Sequence, residues 1–253
     1  VKIRVLGNFG GVCSGAQLSS FLINDSILLD TVGAAFVLTL EEQVRIKDIL
    51  ITHQHLDSIA GIFFIADNVV SEGRFINVYS IKDVLDSIKK HILNNEIWPD
   101  FTKIPSEKAP TLILKEIEEG EVLKLDSLEI IPVRVSHCIS CVGFIFRDKN
   151  GSVVYSAESS PTNKIWDAAR SEKKLNALII ESAFPDSQEE LARKSGHLIP
   201  KDLPGELEKF GNDDVPVLLH NFKPKFVDEI KRDVNNLGLE NIKFMEQNEI
   251  YEF

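Results

Sequence analysis

The densest chemistry in this chain lies in Thr52-His53-Gln54-His55-Leu56-Asp57-Ser58. Two imidazoles two residues apart, at the end of an apolar strand, can converge on one metal ion. Imidazole suits zinc, iron, nickel and copper, and the Asp57 carboxylate can bind a neighbouring ion. The same residues could also form a plain strand-to-helix connection in which Asp57 or Ser58 caps the helix. The other histidines weigh on the metal side. His137 follows the strand-like IIPVRVS, His197 sits in Ser-Gly-His just before a helical stretch, and His220 ends VPVLLH. Only His91 lies within a helical pattern, and it reads as a surface residue. Five of the 6 histidines thus fall at element ends, where loops gather to make a site. Carboxylates stand in similar places. Asp30 closes SILLD as a ligand orienter or a turn residue, Glu158 closes VVYSAE where it could bridge two metals, and Glu181 closes LIIE as a supporting or helix-capping group.

The elements that would carry these residues can be read from hydrophobic period and turn chemistry. Residues 17–23 and 26–30 read as a hairpin about the Asn24-Asp25 turn, after a first strand at 1–6. A helix is expected at 33–43, a buried strand at 47–52, a helix at 59–69, a strand at 75–80 and an amphipathic helix at 81–93. Residues 95–110 carry Pro99, Pro105 and Pro110 and read as an irregular excursion, a substrate cover or a dimer contact. Strands follow at 111–117, 121–125, 128–136, 141–147 and 152–158, with a turn at 148–151. The last third alternates: helix 162–172, strand 176–182, helices 187–195 and 200–210, strand 215–220, helix 224–236, and strands 241–245 and 248–252. Each half is strand-rich and then helical, so two sheets covered outside by helices would bury both sets of apolar faces. No linker or repeat divides the chain, and a single domain over 1–253 is expected.

Composition narrows the partners. The formal net charge is −11, which argues against a nucleic-acid backbone or an anionic membrane as main partner. Three cysteines, at 13, 138 and 141, cannot form a complete disulfide set and fit a reducing compartment, so a cytoplasmic location is expected. Cys138-Ile-Ser-Cys141 lacks the second pair of a zinc ribbon and reads as two small buried residues on a strand pair. No apolar run reaches membrane-spanning length.

Taken in order, LLDTVG (28–33), THQHLDS (52–58), VSH (135–137), YSAESSPT (155–162) and LLHNFKP (218–224) resemble the metallo-β-lactamase-fold hydrolases. HQHLDSIAGIFFIAD and IIESAFPDSQEELARKSGHLIP are similar to the class II cyclic-nucleotide phosphodiesterases of that superfamily. The resemblance implies an α/β (α+β) fold, a four-layer αββα sandwich. It implies a metal-dependent enzyme that hydrolyses a small cyclic nucleotide of the 3′,5′-cyclic AMP or GMP type with hydroxide generated at two divalent transition-metal ions (zinc, iron or manganese). Carried over by position, His53, His55 and His137 would hold the first metal, and Asp57 and His220 would help hold the second. Glu158 would bridge. Asp57 would also orient the attacking hydroxide, and His197 would stabilise the phosphate or protonate the leaving oxygen. Lys164, Lys223 and Lys225 could help offset substrate charge, or could be plain surface. The Gly-rich loop at 7–15 would border the site mouth.

Two positions depart from the family pattern. Ser58 stands where the family has a histidine, and Glu158 where it has an aspartate. A neutral hydroxyl is a poor ligand for a transition metal, so the second site loses one strong imidazole, while the longer Glu158 could reach further toward it. A modified dinuclear centre, a mononuclear enzyme and a weakened enzyme that binds rather than cleaves all follow from these two changes. A cyclic-dinucleotide phosphodiesterase, an RNA phosphodiesterase of the tRNA 3′-processing kind, and a low-turnover sensor module are the other readings of this site. A homodimer is one arrangement the 95–110 excursion could serve.

Overall fold

The computed structural model describes residues 1–211 and 214–253. Its strands, in chain order, are β1 (Lys2–Gly7), β2 (Ser20–Ile23), β3 (Ile27–Leu29), β4 (Asp48–Leu50), β5 (Ile76–Ser80), the small pair β6 (Pro105–Ser106) and β7 (Ala109–Pro110), β8 (Leu112–Glu116), β9 (Leu123–Leu125), β10 (Leu128–Val135), β11 (Cys141–Asp148), β12 (Gly151–Tyr155), β13 (Leu175–Glu181), β14 (Val217–His220), β15 (Ile242–Phe244) and β16 (Ile250–Glu252). The helices are α1 (Val32–Val37), α2 (Leu40–Val44), α3 (Leu56–Val69), α4 (Lys82–His91), α5 (Lys164–Arg170), α6 (Glu189–Ser195), α7 (Leu203–Phe210) and α8 (Val227–Asn236). Two sheets of 7 strands form, in the orders β16-β1-β2-β3-β4-β5-β8 and β15-β14-β13-β12-β11-β10-β9.

The layering follows from the two-residue period of a strand. In the second sheet Phe144, Phe146, Val153, Tyr155, Ala177, Ile179 and Leu218 point into the core shared with the first sheet. Their neighbours Ile145, Val154, Leu178, Ile180, Val217 and Leu219 point the other way, onto the apolar residues of α5, α7 and α8. The outer face of the first sheet is covered by α1, α3 and α4. On α3, Ile59, Ile62, Phe63, Ala66 and Val69 recur at helical spacing and are buried. The result is the four-layer αββα sandwich expected from the sequence.

Most expected elements form, with three instructive differences. The stretch 33–43 is two helices, because Leu38 turns extended and Thr39 starts α2 with a capping box to Glu42. Cys138 is exposed in the loop after β10, and only Cys141 is buried on β11, so the two are not a matched buried pair. The two terminal strands part company: β15 joins the second sheet, while β16 crosses to pair with β1, Lys2 opposite Glu252.

Parallel strands β3, β4 and β5 of one sheet, and β12, β13 and β14 of the other, deliver their loops where α/β sheets gather ligands, at the C-terminal strand ends. Three residues at these ends have positive φ. Eight described non-glycine residues have positive φ, and seven of them are Asn or Asp, which tolerate it. Asp30 (49°) and Asn221 (68°) are two of those seven, and Ala157 (55°), next to Glu158, is the eighth. At Ala157 nothing local favours the left-handed region, so the surrounding packing imposes it and turns Glu158 back toward the sheets.

The loop after Glu158 is pinned by a residue that the sequence did not single out. Glu206 on α7 is buried, and its carboxylate accepts from Trp166 Nε1 at 2.6 Å, Thr162 N at 3.1 Å and Lys209 Nζ at 2.6 Å. Glu206→Ala would orphan a buried indole N–H and a buried amide. It is expected to lower stability by about 2–4 kcal/mol in urea unfolding with an unchanged denaturant slope. A loss below about 1 kcal/mol would show that the network is dispensable.

Candidate metal centre

His53 follows β4 and is fully buried. Its Nδ1 lies 2.8 Å from Thr52 Oγ1, and Thr52 in turn donates to the Asp30 carboxylate at 2.9 Å from Oγ1 and 3.1 Å from its amide. Asp30 is thus the anchor that orients the ring, the supporting role considered for it from the sequence. His55 is the N-cap of α3 through its backbone, and Asp57 lies in the first turn, so neither Asp57 nor Ser58 is the cap. Thr31 ties this turn to the loop after β3: its Oγ1 donates to the Ser58 carbonyl at 2.7 Å. The approach is close enough that a Cβ on Gly61 would fall 2.1 Å from the Thr31 carbonyl oxygen.

His137 comes in from the end of β10, and its Nδ1 contacts the Gly196 carbonyl at 2.9 Å. Gly196 ends α6 with φ 79°, and a Cβ there would lie 2.7 Å from Cys138 N, so the residue must be glycine for this carbonyl to reach the ring. Glu158 lies three residues beyond the end of β12 rather than at the strand's last position. Its Oε2 stands 3.3 Å from His53 Nε2, 3.5 Å from His137 Nε2 and 3.9 Å from His197 Nε2. One ligand atom from each of His53, His55, His137 and Glu158 falls within 4.8 Å of the others, a donor set able to hold a divalent metal ion.

The other carboxylate oxygen faces a second set. Glu158 Oε1 accepts from Asn221 Nδ2 at 3.0 Å, and Asn221 Oδ1 accepts from Ser19 Oγ at 3.2 Å. Ser19 Oγ also lies 3.3 Å from His220 Nδ1, which leaves His220 Nε2 free. Asp30, Asp57, Ser58, Glu158, His220 and Asn221 are among the residues around a cavity of about 10 Å³, enough for one water or ion. His53 Nε2, His220 Nε2 and Asp57 Oδ1 are buried without hydrogen-bond partners. Buried polar atoms rarely go unpaired, and these three are donors that a metal would satisfy.

Electrostatics favour that fit at Glu158, His137 and His220, while His53 must give up a proton to bind a metal. Burial disfavours a charge on Glu158, yet His53, His197 and His137 outweigh it and hold the carboxyl far below the usual range. Burial opposes a proton on His53, but Cys141 and Glu158 override it and raise the ring well above an ordinary imidazole. Burial pushes His137 down to about 4 and His220 down to about 3, so both are neutral and ready to donate a lone pair at neutral pH. Burial lifts Asp30 to about 7 despite the pull of His53 and Thr52.

His197 stands apart from the donor sets. Its Nδ1 lies 2.9 Å from Glu181 Oε1, the last residue of β13, and the same oxygen accepts from Ser159 N at 2.8 Å. Glu181 is therefore a partner of His197 and not a helix cap. Burial opposes protonation of His197, and Glu181 more than restores it.

The lysines divide. Lys164 is exposed and pairs with Glu119 at 2.9 Å, and Lys225 lies over the Phe226 ring, so both are surface groups. Lys223 donates to the Gly10 carbonyl of the Gly-rich loop and lies over Phe184, whose ring packs on His197. Phe9 of that loop lines the small cavity. Thr52, Asn221 and Ser19 escaped sequence reasoning. Thr52 and Asn221 are immediate neighbours of His53 and His220, two of the candidate metal ligands, which is the signal that could have found them.

The sequence profile of the class-II cAMP phosphodiesterases matches residues 33–215. The chain belongs to that family. A 3′,5′-cyclic-nucleotide phosphodiesterase of Schizosaccharomyces pombe is 30% identical to this class-II chain over 214 residues, 75% of the chain and 58% of the relative. The chain thus spans little more than half the length of that relative. Among solved structures, unliganded yeast PDE1 superposes with a TM-score of 0.82 at 18% identity, covering 98% of each chain. The metallo-β-lactamase-fold protein YhfI of Bacillus subtilis superposes with a TM-score of 0.78 at 16% identity, covering 99% of this chain and 98% of its own. The fold is the metallo-β-lactamase fold. No helix among the described residues is long and apolar enough to cross a membrane.

Proposed function

We propose that this class-II chain hydrolyses a 3′,5′-cyclic nucleotide, of the cyclic AMP or GMP type, at a centre that holds two divalent metal ions. The observation that carries the reading is the placement of Glu158, with Oε2 toward the three histidines and Oε1 on the side of His220 and Asn221. A carboxylate so divided suits a bridge. His53, His55, His137 and Glu158 would hold one ion, and Asp57, His220 and Glu158 the other. Such ions supply Lewis acidity, neutralising phosphoryl oxygens and activating water near neutral pH.

The chain's own residues then have separate tasks. Asp57, half-buried at the first turn of α3, accepts a hydrogen bond from the attacking water and aligns it with phosphorus. As the new P–O bond forms, the water releases one proton to solvent and the P–O3′ bond breaks. His197, protonated and held by Glu181, delivers a proton to the departing O3′ from Nε2. The pair of His197 and Glu181 is buried, so its geometry is set before substrate arrives.

Metal analysis paired with a panel of cyclic mononucleotides, cyclic dinucleotides and a tRNA precursor tests the proposal. Two ions per chain with cyclic AMP or GMP turnover is the expected result. Turnover confined to dinucleotides or RNA would move the substrate class, and bound metal without turnover on the whole panel would mark a binding module.

A further inference from the structure

We infer that the two halves of the centre differ in chemistry, and that the half beside His220 is a hard-cation site which discriminates zinc from manganese far less than the half beside His53. The inference rests on the dinuclear reading above and goes beyond it by giving each half its own metal preference.

The donors carry the argument. Around His53 three imidazoles and one carboxylate oxygen come together. Around the small cavity the available donors are one imidazole nitrogen, His220 Nε2, and two carboxylates, Asp57 and Glu158. Tyr155 also borders the cavity, its phenol being a weak metal donor while it keeps its proton, and three further polar groups on that wall are engaged elsewhere. Asn221 Oδ1 accepts from Ser19, Asp30 is held by Thr52, and Ser58 Oγ stands 3.4 Å from His53 Nδ1. Imidazole-rich sites suit zinc, whereas oxygen donors and retained water suit manganese and magnesium. Any such site still ranks zinc above manganese in raw affinity, so the difference between the halves appears in the ratio of the two affinities. Ser58 sets that ratio. Its side chain lies on the cavity wall, where an imidazole would add a second nitrogen donor.

The test uses the full chain, stripped with a chelator and reloaded with one equivalent of zinc. Manganese is then titrated and followed by the electron paramagnetic resonance of the free ion, and zinc is added in competition. One manganese per chain is expected to bind, with zinc preferred at this half by no more than about tenfold. Asp57→Asn should abolish manganese binding and keep the first zinc. Ser58→Ala should leave manganese binding unchanged, and Ser58→His should raise the zinc preference by at least about tenfold. A strong zinc preference at both halves of the unaltered chain overturns the inference, as does manganese binding that survives Asp57→Asn. Should the larger histidine not fit, the unaltered chain and Asp57→Asn still decide. None of these readouts uses turnover, so a failure of the cyclic-nucleotide reading and a failure of this inference are told apart.

Discussion

His53→Ala is expected to empty the three-histidine half of its metal and to lower kcat/KM for cyclic nucleotides by roughly a thousandfold or more. The estimate starts from support groups around metal ligands, whose loss costs about 10–100-fold, and a ligand itself costs more. His53 is the most constrained member of the set. It is fully buried, its Nδ1 is held by Thr52, and its Nε2 is 3.3 Å from Glu158. Removing the ring also strands Glu158, whose buried carboxylate relies on His53 first among its charge partners. An unpaired buried carboxylate is costly, so the variant should melt lower while still unfolding cooperatively. Asp30→Asn gives the graded control: it keeps the ring and loosens only the Asp30–Thr52 anchor, with an expected loss of about 10–100-fold in metal affinity. Inductively coupled plasma mass spectrometry and steady-state kinetics on both variants decide the matter. Full metal content and full turnover in His53→Ala would remove His53 from the centre.

How far the sequence reaches is seen at such residues. The His53–Asp57 segment was legible because a strand end and a helix start place its side chains by local geometry alone, and the Asn24-Asp25 turn because its residues suit positive φ, which both adopt. The break between α1 and α2 was also written locally, in Thr39-Leu-Glu-Glu42, and a capping-box search would have found it. Other features depend on contacts across the chain. Nothing near Glu206 announces that it will meet Trp166, 40 residues away. Whether β16 pairs with β14's neighbour or with β1 is a question of where the second sheet ends, and short strands of similar composition do not answer it. Cys138 and Cys141 look equivalent in sequence, yet one lies in a loop and the other on a central strand. Glu158 was identified by its place in a motif, while the left-handed turn at Ala157 that aims it is a product of packing.

His197→Ala is expected to lower kcat by about 10²–10⁴-fold, the usual span for a general acid, while metal content stays at the level of the unaltered chain. The geometry separates His197 from the ligands. Its Nδ1 is taken by Glu181 at 2.9 Å, and its Nε2 is 3.9 Å from Glu158, further than the corresponding atoms of His53 and His137. Its neighbour Gly196 supports His137 through a backbone carbonyl, which the substitution leaves in place. Glu181→Gln should fall between the two, because the amide can still orient His197 but no longer stabilises its protonated form. The distinguishing measurement is the leaving group. A p-nitrophenyl phosphodiester departs as a stabilised phenolate and has little need of a proton, so His197→Ala should lose far less turnover on it than on cyclic AMP. A structural role would depress both substrates alike. Equal losses, or loss of metal from the variant, would reassign His197 to support of the centre, and the proton for O3′ would then have to come from another group.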